Sequence, residues 1–468
     1  MSGLDPFLRQ IDRALAGGSV ITEADPLDAF AGDESEATPI RPAAAVCVSS
    51  SADVAAVLSA ASEHGVPVTP RGGGTGRVGS AVPVEGGVVL LFDRLAGLKG
   101  IDRREGIAVV EPGLVTGDLH AAVEEEGLFY PPDPNSWESC TVGGNVATNA
   151  GGPRAFKYGV TRDHVLGLEV VTAGGEVLRL GRRTRKGVTG YDLTALLVGS
   201  EGTLGVVTEV TVKLLPKPET IATLMVLLPD EEAVAGAIEA VGAVRIAPRC
   251  AELLDSYTLD LIRPTAKLPI AAQARAMLLL ELDGAAAAVE RDLEVAGNAL
   301  AEAGAVDVLA ARHSGDRERL WSARRQLSPA LRSLARNKLS EDVVVPRTRM
   351  AELLGRCRRI SEETGIRMPT YGHAGDGNLH VNFLWDDASE QEAVQRGIRR
   401  LFEHVVHVGG TLSGEHGIGV LKAPYLPLEQ SPALIALQER VKQAFDPKGI
   451  LNPGKIFPAA AKRFHGAC

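Results

Sequence analysis

Two short stretches in the last third of the chain concentrate residues able to do chemistry. Residues 371–383 read YGHAGDGNLHVNF and residues 412–419 read LSGEHGIG. Five of the ten histidines, His373, His380, His404, His407 and His416, fall between 373 and 416. Gly375-Asp376-Gly377-Asn378 is a strong turn signal. It predicts His373 and His380 on either side of one hairpin-like bend. Two histidines and one carboxylate, Glu415, suit a divalent cation with positions left open for substrate. Zinc leads among the metals such a set takes, with manganese or iron as alternatives. Core or surface histidines without a metal are the competing explanation, and the glycine-dense flanks of both stretches weigh against it.

A second concentration lies in the first half. Residues 70–79 read PRGGGTGRVG, and Gly74-Thr75-Gly76-Arg77-Val78-Gly79 matches GxGxxG, with Asp93 near the distance of a ribose-binding acid. A nicotinamide-binding turn needs a helix opening at the third glycine. Here SAVPVEGGVVLLF follows, a β-rich run interrupted by Pro83, so the loop must offer its N–H groups to phosphate as a nest. Residues 131–152, PPDPNSWESCTVGGNVATNAGG, carry almost no large apolar side chain except Trp137 and cannot build a core. They can present hydroxyls, amides and backbone N–H groups to a polar ligand. In GSEGTLGVVT (199–208), Glu201 and Gly202 sit in a turn before a strand, suited to an adenosine or ribose group.

The elements that must position these groups are readable in outline. Residues 1–37 read as a short helix and an acidic, loop-rich lead-in. Residues 39–74 then read strand, helix, strand, with Ser51 as the cap and 66–69 as a buried strand. Strands are expected at 87–92 and 107–112, a helix at 116–126, and further strands with glycine turns across 167–213. Pro216 and Pro218 mark a boundary. Beyond it, strands at 223–228 and 275–282 alternate with helices at 230–241 and 290–303. That alternation predicts an α+β domain with an antiparallel sheet. A helix from about 432 leads to FDPKGILNPGKIF.

Composition narrows the function classes. The 468 residues imply two or three domains. The formal charge of −10 disfavours nucleic-acid binding, and the basic run at 179–186 (RLGRRTRK) reads as a solvated loop. Cys47, Cys140, Cys250, Cys357 and Cys468 are scattered and show no CxxC, so neither a disulfide framework, a cysteine zinc site nor an iron–sulfur cluster is supported. Reduced cytosolic thiols fit best. The N-terminus lacks a signal-peptide core and no apolar run reaches membrane-spanning length.

Together, the segments 70–79, 131–152 and 199–208 resemble the FAD-binding domain of the vanillyl-alcohol-oxidase and p-cresol-methylhydroxylase superfamily. The resemblance is strongest to its D-2-hydroxyacid dehydrogenase branch (D-lactate dehydrogenases, the glycolate oxidase flavin subunit, D-2-hydroxyglutarate dehydrogenase) and spans roughly residues 38–457. It implies an α+β fold of four parts. These are a lead-in (1–37), a two-subdomain FAD-binding domain (38–216), a substrate or cap domain holding the metal site (217–431), and a segment returning to the FAD domain (432–468). By resemblance, Arg71, Gly72, Gly73, Gly74, Thr75, Gly76 and Gly79 line the pyrophosphate. Pro132, Asp133, Ser136, Thr141, Gly143, Gly144, Asn145, Asn149 and Gly151 line the flavin and ribityl chain. Glu201, Gly202 and Val207 lie near the adenosine, and Asn452 beside the ring. Ser80 replaces a glycine often found there. Thr75 stands where covalently flavinylated members carry a histidine, which implies non-covalent FAD.

The resemblance further implies that His373, His380 and Glu415 bind the metal and that His416 is the general base, as an unperturbed pKa of about 6.5 would allow. Arg324, in LWSARRQL, matches the position of a substrate-carboxylate arginine, with Arg325 and Lys338 as substitutes and a solvated helix arginine as the alternative. Asn382 would add an amide near the metal. The implied reaction oxidises a small D-2-hydroxy acid to the 2-oxo acid by hydride transfer to the flavin. The implied setting is cytoplasmic or peripheral to the inner face of a membrane, as a homodimer passing electrons to an electron-transfer flavoprotein, an iron–sulfur subunit or a quinone. Two other functions stay open: a non-redox flavin transferase of the alkyl-glycerone-phosphate synthase type, and a flavin subunit of a larger electron-transfer complex.

Overall fold

A computed structural model describes residues 3–184, 186–264, 268–325 and 327–458; Cys468 and Arg185 lie outside them. The chain forms two compact units. Unit 1 is Met1–Gly152, Gly159–Lys217 and Glu415–Cys468; unit 2 is Pro153–Tyr158 and Pro218–Gly414. The sequence reading expected one return to the first half, at 432. The chain instead returns at Glu415, because the Ile418 and Gly419 N–H groups donate to Glu201 and the Val420 N–H donates to the Val78 carbonyl.

Unit 1 is built on two main sheets. The first orders Ser19–Ile21, Ala44–Cys47, Val88–Leu91 and Val68–Arg71, the last three mutually parallel. Parallel strands are covered on both faces and read as continuous apolar runs, and VVLL at 88–91 is fully buried. The helix Ser51–His64 makes the crossover. Its cap is Ser50, whose hydroxyl accepts from the Asp53 N–H, one residue before the expected Ser51. The strand expected at 66–69 is Val68–Arg71: Pro67 has no N–H for a ladder, and pairing begins where the Val68 N–H meets the Ile450 carbonyl. The lead-in is part of this layer, with Phe7 and Ile11 of the helix Leu4–Ala14 in its core. Each such fully buried side chain contributes roughly 1.5–3 kcal/mol. The second sheet is antiparallel and orders Leu98–Asp102, Ile107–Val110, Val206–Lys213, Val165–Val171 and Val177–Gly181.

Unit 2 holds a seven-stranded, fully antiparallel sheet. Its order is Asp307–Ala311, Thr220–Leu228, Ala276–Gly284, Cys250–Leu254, Thr370–His373, Asn378–Trp385 and Asn337–Val344. The helices Ala233–Ala243, Ala286–Glu302, Met350–Thr364 and Gln391–His407 accompany it. Among the described residues no helix is long and apolar enough to cross a membrane, and none of Cys47, Cys140, Cys250 and Cys357 is in a disulfide.

Candidate active site

In unit 1 the three polar segments converge by close backbone approach. The strand Val68–Arg71 runs into Gly72-Gly73-Gly74. A Cβ on Gly72 would lie 2.5 Å from Thr141 Oγ1, and one on Gly73 would collide with the Ser139 carbonyl. Glycine alone lets the first segment lie against the second. The Arg71 guanidinium wraps Gly74 and donates from Nη1 to the Gly32 carbonyl at 2.6 Å. The loop therefore presents backbone, with the arginine turned to the lead-in. Gly76 lies against Asp33, and Gly79, at φ +77°, against Val420.

The second segment is more ordered than its composition suggests. It forms the helix Val142–Thr148, capped by Thr141, whose hydroxyl accepts from the Gly144 N–H at 3.2 Å. Its Val142 and Val146 do enter a core, against the sequence expectation, because the helix turns them to one side. Asn145 donates from Nδ2 to Thr116 Oγ1 at 2.8 Å. Asn149, left-handed at φ 54°, ends the helix and accepts the Arg162 N–H at 2.9 Å. The Pro132 carbonyl pairs with His120, the Ser136 carbonyl accepts the Cys140 N–H, Gly143 lies on Pro112, and Gly152 lies on Asp133. A Cβ on Gly151 would sit 3.0 Å from Glu415 Oε2, so Glu415 lies against this glycine. His416 follows it, half-buried.

Glu201 does something the sequence reading did not expect. Its buried carboxylate accepts from the Ser80 hydroxyl, the Ile418 N–H (2.8 Å) and the Gly419 N–H (2.9 Å). Burial pushes its pKa up, and these three donors oppose that. The side chain expected near an adenosine thus ties the end of the glycine loop to residues 417–420. Gly202, at φ +68°, lies on Pro70, and Val207 pairs with Val170. Asn452 donates from Nδ2 to the Ser80 and Glu201 carbonyls at 2.9 and 2.7 Å, while its buried Oδ1 has no partner among the described residues. A glycine-walled cradle with a buried orphan acceptor at its rim fits a large polar cofactor.

In unit 2 the GDGN turn does join two strands. His373 ends Thr370–His373 and pairs with Asn378, while His380 pairs with Tyr371. The rings of His373 and His380 lie 5.3 Å apart, centre to centre, at 84°. Gly377, at φ +81°, makes the turn. His373 Nδ1 lies 2.5 Å from Glu252 Oε1, in a strand that reads CAELL and is wholly buried. Arg324 lies on the other Glu252 oxygen through Nε at 2.9 Å and Nη2 at 2.8 Å, and over the Tyr371 ring. Arg324 is 8% exposed, which removes the solvated-arginine alternative. Burial opposes ionisation of Glu252, but His373 and Arg324 outweigh it and hold the pKa at about 2. Arg325 is exposed and paired with Glu318; Lys338 donates to Ser328 at 2.9 Å.

Asn382 is fully buried, donating from Nδ2 to the Pro369 and His380 carbonyls, and its Oδ1 has no partner among the described residues. Asp342, also fully buried, lies 3.9 Å from His380 Nδ1. It accepts from Asn378 Nδ2 (2.5 Å), Ser413 Oγ (3.1 Å) and the Gly414 N–H (2.8 Å). The sequence reading missed both Glu252 and Asp342. For Glu252 a lone acid inside an apolar strand was the available signal, since a buried carboxylate needs partners; Asp342, beside Glu341 in NKLSEDVV, gave none. A carboxylate on one ring nitrogen of His373 is the arrangement that metal-binding histidines have, so the set fits a divalent ion.

The chain is similar to known proteins along nearly its whole length. Residues 42–181 match the FAD binding domain family, and residues 217–456 match the FAD linked oxidases, C-terminal domain. The glycolate oxidase subunit GlcD of Bacillus subtilis is 43% identical over 90% of this chain and 90% of its own. A D-lactate dehydrogenase of Anaerostipes hadrus is 37% identical over 89% and 90%. The solved structure of p-cresol methylhydroxylase with substrate bound superposes with a TM-score of 0.82 at 18% identity, over 97% of both chains, which defines the fold class as the vanillyl-alcohol-oxidase type. The chain belongs to the FAD-linked oxidases.

Proposed function

We propose that the protein oxidises a small D-2-hydroxy acid, of the glycolate or D-lactate class, to the 2-oxo acid. The observation that carries this reading is the buried Arg324–Glu252–His373 chain beside His380, in a chain that belongs to the FAD-linked oxidases. When bound, FAD would supply the hydride acceptor for the substrate Cα, and a divalent metal, zinc by preference, would supply a Lewis acid for the α-hydroxyl and carboxylate. His373, His380 and Glu415 would hold that metal. Gly414 is bonded to Asp342, and Glu415 and His416 are the next two residues along the chain.

The protein's own groups have distinct tasks in this reading. Glu252 fixes the His373 ring through Nδ1 and leaves Nε2 to the site. His416 takes the hydroxyl proton. Arg324 draws the substrate carboxylate while neutralising Glu252. Asn382 offers Oδ1 as an acceptor. The glycine loop, Thr141 and Asn452 hold the flavin, and Thr75 leaves it non-covalent. Electrons then pass to a separate acceptor, an electron-transfer flavoprotein, an iron–sulfur subunit or a quinone, from a cytoplasmic homodimer.

The test is anaerobic mixing of the purified flavoprotein with a panel of D- and L-2-hydroxy acids. Bleaching of the flavin band by D-acids is expected, and its absence with every acid would sink the reading in favour of a transferase. His416→Ala should retain FAD and lose bleaching. His373→Ala should lose metal without losing FAD.

A further inference from the structure

Four of the five non-glycine residues with positive φ among the described residues lie in unit 1: Asn149 (54°), Glu201 (52°), Asn452 (39°) and Ile456 (70°). Left-handed backbone is unfavourable for a residue with a side chain, most of all for β-branched Ile456, so surrounding contacts must hold it there. Those contacts meet at one junction. The Glu201 N–H donates to the Ala147 carbonyl at 2.7 Å, and Asn149 lies against Gly199. Asn452 Nδ2 donates to the Glu201 carbonyl at 2.7 Å, and the Ile456 N–H donates to the Gly419 carbonyl at 2.9 Å. Segments far apart in sequence, 147–149, 199–202, 417–420 and 452–456, are thereby tied together.

At the centre is a carboxylate to which the proposed reaction gives no task. Glu201 is 4% exposed. Its Oε1 accepts the Ile418 N–H at 2.8 Å, and its Oε2 accepts the Gly419 N–H at 2.9 Å and the Ser80 hydroxyl. The buried Lys455 sets its ammonium on the Val82 carbonyl at 2.7 Å, and its charge favours the ionised Glu201. Both carboxylate oxygens are engaged by the chain itself. A Cβ on Gly417 would lie 2.9 Å from Glu201 Oε1, and one on Gly419 would collide with the Val78 carbonyl. Gly417 directly follows His416.

We propose that Glu201 is a positioning residue for His416: its carboxylate clamps the turn 417–420 to the end of the glycine loop and so fixes the ring that takes the substrate proton. This role rests on the reading above for the task of His416; the clamp itself does not. Glycines at 417 and 419, with φ of +85° and +53°, leave the turn without stiffness of its own. An ionised carboxylate supplies what they lack, because donors that converge on a charge make the stronger hydrogen bonds. Glutamine is no substitute. Whichever way its amide lies, the NH2 meets an N–H, of Ile418 or of Gly419. The flavin cradle does not depend on this clamp, since Gly72 lies on Thr141 and Gly73 on Ser139 through contacts of their own.

The experiment compares wild type, Glu201→Gln and Ser80→Ala, each loaded with FAD. Hydrogen exchange of the peptide spanning 417–420 is read by mass spectrometry without substrate, and flavin reduction by D-2-hydroxy acids is read by stopped flow. In Glu201→Gln, exchange at the Ile418 and Gly419 amides is expected to quicken at least about tenfold. The reduction rate is expected to fall about 10–100-fold, as for a base displaced by about 1 Å, with half-saturation within about twofold and FAD content unchanged. Ser80→Ala, which removes one of the three donors, should move both readings in the same direction by less, and it decides the matter if Glu201→Gln does not fold. Unchanged exchange, an unchanged rate despite quicker exchange, or a rate lost only in step with FAD would overturn the proposal. A wild type that no acid reduces defeats the reaction instead, and the exchange reading then decides the clamp alone.

Discussion

Glu252 has the densest set of tasks of any single residue in the candidate site. It neutralises a buried arginine, orients a histidine, and is fully buried. Glu252→Gln keeps the shape and removes the charge. Metal affinity or kcat/KM is then expected to fall about 10–100-fold, the usual effect of losing a partner behind a ligand histidine, with FAD content unchanged. Metal analysis beside steady-state kinetics checks this, and an unchanged metal content with an unchanged rate contradicts it. Glu252→Ala strands the Arg324 charge and should cost about 3–5 kcal/mol of stability. This residue also shows where local reading stops. His373, His380, Glu415 and His416 were visible because glycine-dense turns flank them within a few residues. Glu252 and Asp342 act on those histidines from strands far away in sequence, and nothing near them in the chain points at a partner. For Glu252 the signal was negative, an ion between Ala251 and Leu253, and Asp342, next to Glu341, carried not even that.

At the scale of elements, the hairpin between Thr370–His373 and Asn378–Trp385 sets the spacing of the two histidines. Gly377 makes it possible. Its φ is +81° and a Cβ there would collide with the Val345 carbonyl. Gly377→Ala is expected to lower the melting temperature by several degrees, from about 1–3 kcal/mol of strain. It should also abolish metal retention, while the flavin spectrum of unit 1 stays as it is. A variant with full metal content would contradict the assignment. The hairpin was legible because a turn is a local event. The lead-in helix was legible as a helix, but its place in the core was not, because Phe7 and Ile11 share that core with the helix Ser51–His64 and the strands Ala44–Cys47 and Val88–Leu91. The strand boundaries near Pro67 were misplaced for the same reason: the pairing partner, Ile450, lies at the other end of the chain.

At the scale of the molecule, two buried carboxylates set opposite pH slopes in unit 2. Burial pushes Asp255 up to about 6, against the donors Thr258 and Thr370. Its folded-state pKa is raised, so its contribution is fully present below about 3.8 and is lost as pH rises through 6. Glu252, held at about 2, contributes above about 4.5 and loses its contribution as pH falls. The total loss from Asp255 is on the order of 3 kcal/mol and begins near pH 3.8, so between pH 4.5, where Glu252 adds no further slope, and pH 6.5 unit 2 is expected to lose about 2 kcal/mol of stability. Melting curves of the wild type and Asp255→Asn across that range should show the slope in the first and a flatter line in the second. Equal slopes would place its origin elsewhere.

The division of the chain has a consequence for its making. Unit 2 draws on Pro153–Tyr158 and Pro218–Gly414, whereas unit 1 needs both its early strands and the residues after Glu415. On a ribosome, every strand of unit 2 has emerged before Ile450 and Leu451 can reach Val68 or Asn452 can reach the Ser80 carbonyl. The younger half of the polypeptide can thus finish folding while the older half waits with its glycine loop open. Closing the loop from Val68 to Leu451 carries the long-range entropy that slows such pairings. Cofactor capture is accordingly one of the last events in the life of the nascent chain, and truncation just short of Asn452 would leave a protein whose second unit is sound and whose flavin site is never completed.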